Sequence, residues 1–163
     1  MLVNRIWLQR GAVGILAVLV VWGLYAFSPD RQVKKAFARF LDAASSRNWK
    51  KVEGMMTPEY RDQWGCDRET AVHLGSEAFQ HYIFLQIVPS DVKVVRQGSQ
   101  ATLSARLKFT GRGSPVGELI TQQVNGLQEE FRFAWKRQSW KPWDWKLQSI
   151  SEPEINFDPA SMP

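Results

Sequence analysis

A run of 17 uncharged residues, Gly11 to Phe27, constrains this chain more than any other feature of its sequence. A helix rises about 1.5 Å per residue and the hydrocarbon core of a bilayer is about 30 Å thick, so the run is just long enough to span it. Trp7 and Trp22 lie near its two ends, where interfacial tryptophans are enriched. We therefore predict a short basic leader at 1–10 and a transmembrane anchor at 11–28.

A cleaved signal peptide is the main alternative to this anchor. Cleavage requires small residues at the first and third positions before the cut. A cut after Ala26 leaves Leu24 at the third position, and a cut after Ser28 puts Pro29 directly behind it. The positive charges on the two sides of the run nearly cancel, so orientation depends on the short leader, which is apolar apart from its arginines. We expect a signal-anchor that leaves the domain on the periplasmic or extracytoplasmic side of the membrane.

The net charge of +5 is unevenly distributed along the chain. Residues 91–151 contribute +5, whereas the segment after Ser151 contributes −3. A basic surface attracts anionic lipids, acidic polymers or nucleic acid. No nucleic-acid recognition motif is present, so we predict no nucleic-acid partner. The single cysteine excludes an internal disulfide and a cysteine-rich metal site.

The first half of the soluble part is patterned as three helices. The first begins at Ser28-Pro29-Asp30 with a serine cap, a proline in the first turn and a nearby acid. A second runs from Trp49 to Met56, and a third runs from an Asp67 cap to about Phe84. The first helix shows an apolar stripe at helical spacing, formed by Val33, Ala36, Phe37, Phe40, Leu41 and Ala44.

The second half is patterned as antiparallel strands. Apolar and polar residues alternate from Leu103 to Phe109, from Phe131 to Trp135 and from Trp143 to Leu147. A loop is predicted at 111–117, followed by a weaker strand at Leu119–Val124 and a hairpin turn at Asn125-Gly126. Helices followed by a strand meander indicate an α+β fold, three helices packed on a curved antiparallel sheet. We assign this domain to 29–151 and a flexible acidic tail to 152–163.

The order of elements, ending in the aromatic and basic strand from Trp145 to Ile150, resembles the cystatin-like roll of the nuclear transport factor two-like superfamily. This superfamily includes isomerases, dehydratases, polyketide cyclases, transport adaptors and membrane-tethered secretion scaffolds. The inner-membrane assembly factor of type IV secretion systems is similar in layout, with one span before the roll. The resemblance implies a fold without implying one function. It also implies that the sheet face is a candidate dimer surface.

Isomerase-like members of the superfamily use a titratable base inside an apolar pocket. The predicted inward strand positions carry no titratable group, and Tyr60, Asp62, Asp67 and Tyr82 are the polar residues that could reach such a pocket. The sequence therefore favours a domain without catalytic activity and leaves an enzyme as the alternative. If a pocket exists between the sheet and the third helix, its predicted lining is Tyr60, Trp64, Tyr82, Phe133, Trp135 and Trp145.

Two further groups of residues have simple structural interpretations. His73, Glu77 and His81 are spaced by one helical turn but lie mostly opposite the apolar stripe, which favours a solvated face over a metal site. Cys66 has no adjacent partner and is interpreted as a structural thiol. We predict no catalytic residue, no cofactor and no metal. Among the tryptophans of the final hairpin, Trp140 is expected to be exposed and Trp143 to face inward.

The outer face of the sheet is predicted to be basic. Its candidate partner residues alternate with the apolar strand positions, and they are Arg106, Lys108, Arg132, Lys136 and Lys146. The leading hypothesis is a single-pass, membrane-anchored, non-enzymatic domain that mediates protein association, as a homodimer through the sheet or with another protein. The alternative hypothesis is a roll that binds a small apolar ligand or acts as an isomerase.

Overall fold

Three helices open the part of the chain that this computed structural model describes, residues 28–155. They are α1 (Pro29–Ser45), α2 (Trp49–Gly54) and α3 (Arg68–Gln80). The predicted apolar stripe of α1 is buried. Side chains cap the two later helices, since Asn48 accepts from the Lys51 N–H and Asp67 accepts from the Thr70 N–H. Ser28 precedes α1 without making a side-chain capping bond.

Four antiparallel strands follow, in the spatial order β1-β2-β3-β4. They are β1 (Tyr82–Gln97), β2 (Gln100–Gly113), β3 (Phe131–Arg137) and β4 (Trp145–Ser151). β1 and β2 form a long hairpin, whereas β3 pairs only with the Gln100–Ala105 part of β2. The helices pack on one face of this sheet, so the predicted α+β architecture is confirmed.

The boundary predicted for the third helix is wrong. α3 ends at Gln80, and Tyr82, which was expected on a helix, begins the 16-residue strand β1. Pro89 and Ser90, expected to end the helical half, lie inside this strand beside an irregularity in its register. Apolar residues lie on both faces of β1, so its sequence does not alternate and fits a helical wheel as well as a strand.

The predicted strand at Leu119–Val124 is also wrong. Residues Pro115–Gly126 form a helix, α4, that packs along the part of β2 not covered by β3. Ser114 caps this helix, Pro115 occupies its first turn and Glu118 lies close to its positive end. The Asn125 side chain donates to the Phe109 carbonyl and accepts from the Phe109 N–H, replacing two bonds that a neighbouring strand would make.

The core lies between α1 and the inner face of the sheet. Leu103, Phe133, Trp135 and Leu147 are almost fully buried. The ring of Phe37 on α1 packs against Phe133, with centroids 4.8 Å apart. The alternation predicted for β2 and β3 is thereby confirmed. In the last hairpin Trp140 is exposed, as predicted, whereas Trp143, expected to face inward, is 47% exposed because it precedes β4 in a loop.

The predicted tail, leader and anchor fall only partly within the described residues. The segment 152–155 was expected to be flexible but packs against the domain: Glu152 is fully buried and its backbone N–H donates to Gln63. Residues 156–163, the rest of the predicted tail, lie outside the described residues. The predicted leader and nearly all of the predicted anchor also lie outside them. Within residues 28–155, no helix is both long enough and apolar enough to cross a membrane.

Candidate functional site: an apolar cavity beneath α3

An apolar cavity lies between α3 and the inner face of the sheet. Its volume is about 210 Å³, and a neighbouring cleft of about 400 Å³ shares part of its lining. Helix α3 contributes Ala71 and Gly75 to both spaces, and the sheet contributes Phe131 and Ile150. Because these walls carry little polar surface, the cavity suits an apolar molecule.

The polar side chains of the site come from the segment after α2. This segment runs parallel to β4, since the Thr57 N–H donates to the Leu147 carbonyl and the Arg61 N–H donates to the Gln148 carbonyl. It delivers Tyr60 to the junction of the two spaces and Asp62 and Cys66 to the cleft. Three groups that differ in chemistry therefore meet beside the apolar cavity.

A tight loop holds the Asp62 carboxylate in place. Its Oδ1 atom accepts from the Cys66 N–H at 2.9 Å and from the Trp64 N–H at 3.0 Å. Gly65 closes the loop with a φ of +84°, a conformation that other residues rarely adopt. The Tyr60 hydroxyl and the Cys66 thiol lie near enough to the carboxylate for its charge to act on both groups.

Burial perturbs the ionisation of all three groups. Desolvation raises the pKa of Asp62 above its ordinary value, although the backbone N–H groups that donate hydrogen bonds to it oppose the rise. Desolvation, then the nearby Asp62 charge, raises the pKa of Tyr60 and of Cys66. The tyrosine hydroxyl and the cysteine thiol therefore lose their protons less readily than they would in water. Titratable groups perturbed by burial in a cleft are typical of functional sites.

The structure separates the residues predicted to line a pocket. Tyr60 and Phe133 line the cavity, and Trp64 lines the wider cleft. Tyr82 is buried elsewhere, beneath α4, where its hydroxyl donates to the Gly117 carbonyl. Trp135 and Trp145 are buried within the core away from both spaces.

Sequence reasoning placed a possible pocket between the sheet and the third helix but did not name the α3 residues that line it. Small residues on α3 make the space: a Cβ atom at Gly75 would lie 3.4 Å from the Trp49 ring, within ordinary contact. The run of small residues Ala71, Gly75 and Ala78 at helical spacing was the available signal. Such a run is also common in closely packed helices, so the tertiary structure was needed to reveal a cavity.

The outer face of the sheet carries the predicted basic residues together with an apolar stripe. Arg106, Lys108, Arg132 and Lys136 are exposed there, and Lys146 is half-buried. The stripe belongs to β1 and consists of Phe84, Val88 and Val95, which are 42–66% exposed, with the polar residues Ser90 and Lys93 between the two valines. Register places Val88 opposite Lys108 and Phe84 opposite Arg112, so apolar and cationic side chains adjoin.

The predicted solvated face of the third helix is found on α3. His73 Nε2 lies 3.4 Å from Glu77 Oε1, and both side chains are largely exposed. His81 lies beyond the end of α3, where its Nδ1 atom is 3.3 Å from Ser114 Oγ. Among residues 28–155, no group of three His, Cys, Asp or Glu side chains is arranged to hold a metal ion.

Comparison with known proteins reveals similarity in structure alone. No protein-family model and no curated protein matches the sequence. An NTF2-like protein from Cytophaga hutchinsonii is similar with a TM-score of 0.52 and 16% identity, over 73% of this chain and 92% of that one. A cystatin-like fold protein of unknown function from Nostoc punctiforme is similar with a TM-score of 0.53 and 9% identity, over 76% and 91%.

A third similar structure is that of a larger protein. Bd1075 of Bdellovibrio bacteriovorus matches 74% of this chain with a TM-score of 0.56 and 6% identity, but the match spans only 40% of that protein. These likenesses show that the described domain has the fold of NTF2-like and cystatin-like proteins, as the order of its elements predicted. At such low identity they carry the fold and leave the function to be argued from the site.

Proposed function

We propose that this domain binds a small, largely apolar molecule in the cavity beneath α3. The observation that carries this proposal is a group of converging hydrogen-bonding side chains, Tyr60, Asp62 and Cys66, beside a cavity with otherwise apolar walls. The cavity takes the hydrocarbon part of the ligand, and the Asp62 carboxylate accepts from a hydroxyl or amine at its other end. This proposal corresponds to the alternative hypothesis from the sequence, because a titratable group does reach the pocket.

A cavity-filling variant tests the proposal. Gly75 lies on the wall of both spaces, so Gly75→Leu should place an apolar side chain inside them. Gly54→Leu is the matched control, because Gly54 is an exposed helical glycine with no atom near its Cβ position. The probe is 2-naphthol, a neutral two-ring molecule with one hydroxyl, and its binding to the full chain is measured by fluorescence titration.

The two variants should differ clearly if the cavity is the binding site. Gly75→Leu should abolish naphthol binding, whereas Gly54→Leu should bind as the parent protein does. Asp62→Asn should weaken binding, since an amide is a poorer acceptor than a carboxylate. Equal binding by the parent protein and Gly75→Leu would contradict the proposal, as would the absence of binding by the parent protein.

We also propose that the anchored domain associates with a second copy through the outer sheet face. The apolar stripe of β1 supports this proposal, since exposed apolar patches mark interaction surfaces. A two-fold axis along β1 would bring the two stripes together, with Lys108 and Arg112 beside them. The homodimer and the membrane anchor both follow from the sequence hypothesis.

Sedimentation of the full chain in detergent tests the dimer. Val95→Lys should shift the population toward monomers, and Leu119→Lys, an equally exposed apolar position on α4, should not. A parent protein that is monomeric at every concentration would exclude the sheet-face dimer. Topology is tested separately, because a phosphatase fused after Pro163 is active only when the domain lies outside the cytoplasm.

A further inference from the structure

The start of α1 lies at one end of the sheet, together with two loops. Asp30 Oδ1 lies 3.5 Å from the Arg96 Nε atom, close to the tip of the β1–β2 hairpin. At the same tip, the Arg137 N–H donates to the Ser99 carbonyl at 2.8 Å. Arg137 is the last residue of β3. The β3–β4 loop, residues 138–144, therefore leaves the sheet at the end where the chain enters the domain, which we call the entry end.

The entry end combines an exposed tryptophan with exposed cations. Trp140, in the β3–β4 loop, is 82% exposed, more than any other large apolar side chain of residues 28–155. Acidic groups nearby are few: Asp30 pairs with Arg96, Asp42 lies 3.8 Å from Lys51, and Asp144 closes the loop. The exposed cations of α1 and of the adjoining strand and loop are Arg31, Lys34, Lys35, Arg39, Lys136 and Lys141.

A positively charged cleft lies between the β3–β4 loop and the helices. Its volume is about 370 Å³, and Asp144 is the acidic residue on its wall. Trp143 contributes an indole ring to the same wall. The cations that line the cleft are Arg39, Lys51, Lys141 and Lys146. Lys51 is paired with Asp42, so three further cations beside one carboxylate make a recess that suits a phosphate-bearing headgroup.

The chain outside the described residues indicates what covers this end. The uncharged run stops at Phe27 and α1 starts at Pro29, so a single residue separates them. A chain extends by at most about 3.6 Å per residue, which places Asp30 within about 11 Å of the end of the run. If the run spans a bilayer, as predicted, the entry end is forced to lie at the bilayer surface.

We propose that the entry end docks on a bilayer surface that contains anionic phospholipid. Trp140 occupies the interfacial region, where tryptophan is favoured, and the α1 cations lie over the headgroups. The positive cleft receives a headgroup phosphate. This inference rests on the predicted anchor but is independent of ligand binding in the cavity. Docking orients the domain, so that β2 runs away from the membrane from Gln100 to Gly113.

The test uses the full chain in lipid nanodiscs, where both membrane faces are open to reagents. In a Cys66→Ala background, Trp140→Cys is labelled with the fluorophore NBD, and reduction by dithionite reports its exposure to water. Leu119→Cys is the matched control, because Leu119 is an exposed apolar residue on α4, which packs along the part of β2 remote from the entry end. The discs contain phosphatidylcholine alone or an equal mixture with phosphatidylglycerol, and circular dichroism verifies folding.

We expect the label at position 140 to be protected from dithionite in mixed-lipid discs and to lose protection at high salt. The label at position 119 should react freely. Each surface cation removed should shift docking by about five-fold, so Lys34→Gln with Lys35→Gln should lower it roughly 25-fold. The control pair Lys108→Gln and Arg112→Gln, with the same change of charge away from the entry end, should leave docking unchanged.

Three results would overturn the proposal. The first is equal reactivity of the labels at positions 140 and 119 in mixed-lipid discs. The second is equal protection at position 140 with and without phosphatidylglycerol, which would remove the assignment to anionic lipid. The third is failure of the full chain to incorporate into discs at all, since the inference depends on the anchor.

Discussion

Replacing Tyr82 by phenylalanine removes a single hydroxyl from the contact between β1 and α4. The hydroxyl donates to the Gly117 carbonyl at 2.7 Å and lies 3.1 Å from Thr121 Oγ1, and the side chain is only 4% exposed. A buried hydrogen bond contributes about 1 kcal/mol net, and an acceptor left unpaired costs about 1–3 kcal/mol. We therefore expect Tyr82→Phe to lower the free energy of unfolding by about 1–2 kcal/mol.

The assay is urea unfolding of the full chain in a mild detergent, followed by circular dichroism. The midpoint should fall while the slope stays constant, which identifies a change in stability rather than in compactness. Thr121→Val, combined with Tyr82→Phe in a double-mutant cycle, isolates the contact between the two hydroxyls. Leu119→Ala, on the same helix but 64% exposed, is the control and should change stability by less than about 0.5 kcal/mol.

If Tyr82→Phe lowers the free energy of unfolding by less than about 0.3 kcal/mol, which is within the usual scatter of such comparisons, this reasoning is refuted. It would also bring α4 into question, since a strand at Leu119–Val124 would leave the Tyr82 hydroxyl without these partners. Binding of 2-naphthol should be unaffected in Tyr82→Phe, because Tyr82 lines neither the cavity nor the cleft.

Three further predictions concern the core, the hairpin and the site. Phe133→Ala should cost about 3–5 kcal/mol, measured by urea unfolding, with Phe133→Leu much milder because it leaves a smaller void. Gly113→Ala should strongly lower the melting temperature, since the added Cβ atom would overlap the His81 carbonyl oxygen. At Gly98 an added Cβ atom meets no other atom, so Gly98→Ala should be destabilised only by the strain of its positive φ. Burial raises the pKa of Asp62, so the folded state binds that proton more tightly than the unfolded state does. The free energy of unfolding should therefore fall as pH rises from the unfolded-state pKa of about 3.9 through the higher pKa of the folded state. Asparagine does not titrate, so the stability of Asp62→Asn relative to the parent protein should improve between pH 4 and 7. A difference in free energy of unfolding that stays constant over this range would contradict the raised pKa of Asp62.

Prediction from the sequence succeeded where local periodicity and burial agree. The α1 stripe and the alternation in β2 and β3 each reflect one buried face, so pattern and structure coincide. It failed at β1, whose outer face carries apolar residues such as Phe84 and Val88. It also failed at α4, although the helix start at Ser114-Pro115 was visible, because Asn125-Gly126 was interpreted as a hairpin turn rather than as the end of a helix.

The candidate site was predicted only in part. Tyr60 and Asp62 were recognised as residues that could reach a pocket, but the expectation that the cavity lacks titratable groups considered strands alone. The segment that carries them pairs with β4 through backbone bonds almost 90 residues apart in sequence. Backbone hydrogen bonds between distant segments do not depend on the pattern of side chains. The convergence of Tyr60, Asp62 and Cys66 could therefore not be predicted from the sequence pattern.

The sequence by itself determined the α+β class, the buried faces of α1, β2 and β3, and the position of the basic residues on the outer face. These features depend on the spacing of apolar residues within single elements, and that spacing is set by the geometry of a helix or a strand. The tertiary structure alone decided where α3 ends, that α4 is a helix, and that the Asp62 carboxylate lines a cleft beside the cavity beneath α3. Those features depend on contacts between distant segments, whose free energy overrides local preference.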